Sequence, residues 1–81
     1  MTEILKEMAP GDKGRVRGYT PGSSAYRKRL LAMGLTQGTE FTVKRVAPMG
    51  DPVEIEVRGF ALSLRKDEAS ALMVDKEDNH G

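Results

Sequence analysis

The sequence predicts a mainly-β domain: a small antiparallel barrel of about five strands, with one short helix after the first strand. Three observations predict it. Val53-Glu54-Ile55-Glu56-Val57 and Phe60-Ala61-Leu62-Ser63-Leu64 alternate with a period of two, the mark of half-buried strands. Helical signals concentrate in one stretch that stops at Gly34. The chain has 81 residues, enough for one modest core, which an open sheet with flat edges would not enclose.

Residues 1–10 read as a lead-in anchored by Leu5 and Met8, with Pro10-Gly11 as a turn pair. Lys13 to Tyr19 is the first strand, with Val16 and Tyr19 facing inward. Thr20-Pro21-Gly22-Ser23-Ser24 hands over to the helix, and Ser23 or Ser24 is placed to cap its open N–H groups. The helix is expected to run to about Met33 and to stop at Gly34, because glycine enters the left-handed region without steric cost. Tyr26, Leu30 and Met33 fall on one helical stripe suited to packing on the barrel. Leu31 points about 100° away, on the side of Arg27 and Lys28.

A turn closes at Gly38 and a second strand opens at Phe41, its alternation broken at Val46 by a register fault or bulge. Pro48-Met49-Gly50-Asp51-Pro52 is a tight turn that its prolines keep out of any ladder. The two alternating runs follow, and both Phe41 and Phe60 are expected to face inward. Lys66 to Ser70 reads as a helical turn and Ala71 to Val74 as a last short strand. The domain therefore spans 1–74, and 75–81 is expected to be a polar, mobile tail. Val16-Arg17-Gly18-Tyr19 and Val57-Arg58-Gly59-Phe60 look alike, and their glycines are read as strand bends at barrel corners. The sum is a barrel of the SH3-like kind.

Most chemistry is excluded by residue inventory. There is no cysteine, hence no disulfide, thiolate metal site or cysteine nucleophile. The single histidine, His80, lies at the tail, so no Ser-His-Asp triad can be positioned. Gly11-Asp12-Lys13-Gly14 lacks the spacing of a phosphate loop. Glu54 and Glu56, beside Arg58 and Lys44, read as a solvated cross-strand charge ladder rather than an acid–base pair. Thirteen basic residues against 12 acidic give a net charge of +1, with no basic stripe or interleaved aromatics for nucleic acid. No apolar run approaches the ~20 residues of a membrane span, and Met1-Thr2-Glu3-Ile4 does not resemble a signal peptide. The expectation is a cytoplasmic protein without cofactor. Asp75, Glu77, Asp78 and His80 offer a loose oxygen-and-nitrogen set for weak divalent-metal binding, and Met49 and Met73 read as filler rather than ligands.

A resemblance adds to this reading. Pro10-Gly11-Asp12-Lys13-Gly14, Ala25-Tyr26-Arg27, Leu30-x-x-Met33-Gly34-Leu35, Gly38-Thr39, Val46 to Pro52 and Leu64-Arg65-Lys66-x-Glu68-Ala69 occur in the order seen in FeoA-type domains. From Gly11 to Val74 the chain resembles that family. The resemblance implies an SH3-like barrel and a non-enzymatic accessory protein of bacterial ferrous iron uptake. Its implied partner is the cytosolic GTP-binding domain of a FeoB-type membrane permease, which would recruit it to the inner membrane without insertion. The alternative is a metal-binding or sensing domain related to the C-terminal domain of iron-dependent repressors, although no DNA-binding helices precede it here. Candidate partner-binding residues are Tyr26, Arg27, Leu30, Leu31 and Met33 on the helix, with Met49 and Asp51 on the proline turn. Gly34, Gly38, Pro48, Gly50 and Pro52 are read as structural.

Overall fold

Alternation in the sequence becomes a one-sided sheet. Val16, Val43, Val53, Ile55, Leu64, Leu72 and Val74 point to one side and are buried, and Leu5, Leu30 and Leu35 complete the same core. The computed structural model describes residues 2–77. In chain order these form β1 (Thr2–Ile4), a 3-10 turn (Leu5–Glu7), β2 (Lys13–Tyr19), α1 (Ser24–Ala32) and β3 (Glu40–Val46). A second 3-10 turn (Pro48–Gly50), β4 (Val53–Val57), β5 (Phe60–Leu64), α2 (Lys66–Ala71) and β6 (Leu72–Lys76) follow. The sheet order is β1-β6-β2-β3-β4-β5, with every neighbouring pair antiparallel. This is the expected mainly-β, SH3-like arrangement, barrel-like but not closed, since β1 and β5 remain edges.

Two elements exceed the expectation. The lead-in supplies a sixth strand, β1, in which Thr2, Glu3 and Ile4 pair with Asp75, Val74 and Met73. Three residues carry no readable period, and the strand exists because β6 offers it an edge. At the other end β6 runs to Lys76, beyond the expected boundary at 74, and the Glu77 N–H donates to the Lys13 carbonyl at 2.8 Å. Asp75 is thus a strand residue, opposite Thr2 on one side and Arg15 on the other.

The helix stop is where the sequence puts it. Gly34 has φ +88°, its N–H donates to the Leu31 carbonyl, and the Leu35 N–H reaches back to the Leu30 carbonyl, both at 3.0 Å. These two bonds make a Schellman motif, and the hydrophobic pair that accompanies it is Leu30 with Leu35, both fully buried. The N-terminus differs from expectation. The Ser23 hydroxyl donates to the Thr20 carbonyl and caps nothing in α1.

The β3 register does shift, but between Val43 and Arg45 rather than at Val46, which pairs with Val53. The two look-alike tetrapeptides do different work. Gly18 follows a register shift in β2, a true strand irregularity. Arg58 and Gly59, at φ +52° and +83°, instead form the two-residue turn of the β4–β5 hairpin, with the signs of a type I′ turn. Phe60 is also not inward as expected. It lies opposite Val57 on the core side of the hairpin, but at the end of an edge strand that nothing covers, and it is 72% exposed. Phe41 does face the core, stacked over Gly14, where an added Cβ would lie 2.9 Å from the ring and 3.0 Å from the Asp75 carbonyl.

A candidate partner-binding face

The helix side chains divide as the stripe predicts. Leu30 is fully buried, Tyr26 and Met33 are half-buried against the core, and Leu31 is left 40% exposed beside exposed Arg27 and Lys28. Arg27 lies over the Tyr19 ring, 5.7 Å from its centroid, so its cation is held near the helix surface. Tyr19 in turn donates its hydroxyl to the Leu35 carbonyl, bracing the end of α1. Burial pushes the Tyr19 phenol above its usual range, and the Arg27 charge opposes that shift.

The proline turn is a rigid knob. The Ala47 N–H donates to the Pro52 carbonyl at 3.0 Å and the Gly50 N–H to the Ala47 carbonyl at 2.8 Å. Between them Met49 takes φ +71°, unusual for a side-chain-bearing residue, and is 93% exposed. Asp51 fixes this turn to α2: its Oδ1 lies 3.6 Å from Arg65 Nε and accepts the Lys66 N–H at 3.3 Å. Met49 lines one side of a shallow cleft together with Lys6, Gly50 and Lys66.

The two halves of the candidate face are joined through α2. Tyr26 donates its hydroxyl to Asp67 at 3.3 Å, and Arg29 reaches Glu68 Oε2 at 3.2 Å. Glu68 is nearly fully buried, and its Oε1 accepts the Arg65 N–H at 2.9 Å, the carboxylate half of a capping box. One carboxylate therefore caps α2 and grips α1, while the residues just before it hold Asp51. Arg29, Arg65, Asp67 and Glu68 had no site role in the sequence reading. The available signal was the acidic first turn of a short helix, Asp67 and Glu68, two and three residues after Arg65.

Gly38 stands apart from this face: its N–H donates to the Val16 carbonyl at 2.8 Å, closing the turn before β3. The tail ligand set is divided. Asp75 sits in β6 with its Oδ2 3.2 Å from Arg17, and Glu77 follows the strand end; Asp78 and His80 lie outside the described residues. No group of three metal-ligating side chains occurs among the described residues. No helix among them is long and apolar enough to cross a membrane.

The FeoA domain profile matches residues 4–76, from the last residue of β1 to the last of β6. The chain belongs to the FeoA domain family. An Fe(2+) transport protein A/Fe(2+) transporter FeoB fusion protein of Porphyromonas gingivalis is 35% identical over 71 residues, which cover 88% of this chain. The matched segment is 8% of that relative's length. The NMR structure of a FeoA-like protein from Clostridium acetobutylicum superposes with a TM-score of 0.87 at 38% identity, covering 99% of this chain and 92% of that one. The crystal structure of IdeR from T. acidophilum gives a TM-score of 0.83 at 21% identity, covering 94% of this FeoA domain and 34% of the IdeR chain, a likeness of fold.

Proposed function

We propose that this FeoA domain is a cytoplasmic accessory of ferrous iron uptake that docks on the cytosolic GTP-binding domain of a FeoB-type transporter. The observation that carries the reading is the fusion relative, in which a segment like this chain is covalently joined to a FeoB transporter. Fusion raises the effective concentration of two modules that work together, and selection for it is most direct where they touch. The α1–α2–turn face supports the reading physically. Leu31 on α1 and Met49 on the turn are exposed apolar side chains on backbone that is already fixed, so either loses little ordering entropy on contact. Docking alters transporter behaviour only if the face prefers one nucleotide state over another.

The test is binding to the purified cytosolic domain of the transporter from the same organism, with GTP analogue, with GDP and without nucleotide. Leu31→Gln and Met49→Gln are expected to weaken binding by about tenfold each, a hot-spot-sized loss, while their thermal melting matches the parent. If the double variant binds as tightly as the parent, this face is not the interface.

A further inference from the structure

We propose that the part of α1 around Leu31 selects an acidic partner surface: carboxylates on the transporter's cytosolic domain meet Arg27 and Lys28 while Leu31 enters an apolar depression that they border. The inference rests on the docking reading above and adds the chemistry of the partner. On a helix the neighbours of Leu31 one turn back are Arg27 and Lys28, at i−4 and i−3. All three are exposed, so one apolar side chain stands beside two cations.

Neither cation has a carboxylate partner in its own fold. The helix carries Arg27, Lys28 and Arg29 but no Asp or Glu, so no ion pair forms within it. The carboxylates that reach it from α2 are already engaged: Asp67 accepts the Tyr26 hydroxyl at 3.3 Å, and Glu68 takes Arg29 at 3.2 Å. Among the described residues no carboxylate lies within ion-pair distance of Arg27 or Lys28. Nor does the helix gain from them. They are the fourth and fifth of its nine residues, whereas the helix dipole favours cations in the last turn. Arg27 is held 5.7 Å from the centroid of the Tyr19 ring, so its guanidinium is restricted before a partner arrives and loses less rotamer entropy when a carboxylate takes its planar fork. The whole chain has a net charge of only +1, which makes this a local field. Cations at the rim of a contact act on encounter, and an apolar anchor acts on residence. Leu31 therefore holds the complex that Arg27 and Lys28 steer.

Stopped-flow kinetics of the full chain against the transporter's purified cytosolic domain, in each nucleotide state, provide the test. The parent's association rate should fall about tenfold between about 50 and about 500 mM NaCl, as screening removes the attraction. The double variant Arg27→Gln/Lys28→Gln should associate about tenfold more slowly than the parent at the lower salt, with a dissociation rate within about twofold of the parent's. Its melt should stay cooperative, because both side chains are exposed. Leu31→Gln should act the other way, on dissociation. Arg58→Gln removes as much charge as either single change, but from the β4–β5 turn, at the opposite end of that hairpin from α2. It should leave association within about twofold, which separates the patch from the net charge. A parent that binds at a rate indifferent to salt, or a double variant that associates like the parent, would overturn the acidic partner and leave the docking reading standing. A parent that binds in no nucleotide state would sink both. If the double variant loses binding to vesicles of equal parts phosphatidylglycerol and phosphatidylcholine yet meets the transporter domain like the parent, the cations serve a membrane and the proposal falls.

Discussion

Removing Glu68 should loosen the candidate face more than any change at its surface. Glu68→Ala deletes the acceptor for the Arg65 N–H and the partner of Arg29. A hydrogen bond to a charged group contributes about 1.5 kcal/mol. Arg29 is 63% exposed, so its pair with Glu68 is screened and contributes about 0.5 kcal/mol. The loss is therefore about 2 kcal/mol, since the cavity left behind is roughly offset by no longer burying a carboxylate. In a domain of this size about 1 kcal/mol moves the melting temperature by about 4–8 °C, so calorimetry should register a fall of about 8–16 °C. Glu68→Gln keeps an oxygen for the Arg65 N–H and should recover about half of that. Alanine melting within about 3 °C of the parent, or glutamine as harmful as alanine, would refute the bridge.

Two glycines give further predictions. Gly34→Ala forces a side chain into φ +88°, with open space around it, so backbone strain alone should cost about 1 kcal/mol, read as a drop of about 4–8 °C in melting temperature. An unchanged melt would show that the Schellman turn can rearrange without loss. Gly14→Ala fails for another reason: its backbone is unstrained, but the new methyl meets the Phe41 ring and the Asp75 carbonyl. Overpacking of this kind costs about 1–3 kcal/mol, and an additional Phe41→Leu change should return part of it, as a melt of the double variant would show. No return would place the strain at the carbonyl rather than the ring.

What could be read from the sequence was whatever local chemistry enforces. Gly34 and its Schellman bonds, the buried Val53, Ile55 and Val57, and the division of Leu30 from Leu31 all follow from periodicity and left-handed backbone, which act over a few residues. What failed depended on distant partners. Thr2–Ile4 is a strand because β6 lies beside it, and Asp75 belongs to the sheet for the same reason. Phe60 obeys the alternation of its strand, yet alternation assigns a face and not a cover; at the sheet edge the core side is still open. The sequence offers Glu68 as an acidic first-turn residue but does not show its burial. Its composition says surface, and only the packing of α1 on α2 makes it the buried link between Arg29 and the start of α2.

That link bears on how recognition and stability are divided in this domain. Leu31 and Met49 contribute little to the core, being 40% and 93% exposed, so they are free to be chosen for contact. Their relative placement is not free. Tyr26 and Arg29 tie α1 to Asp67 and Glu68, and Arg65 and Lys66 tie the same short helix to Asp51, so α2 sets where helix and knob stand with respect to each other. A partner that touches both meets a surface whose geometry was fixed during folding, and the affinity it gains is the ordering entropy it need not supply. The six-residue α2, itself too short to stand alone, is therefore the element through which a change in the core would be felt at the candidate interface.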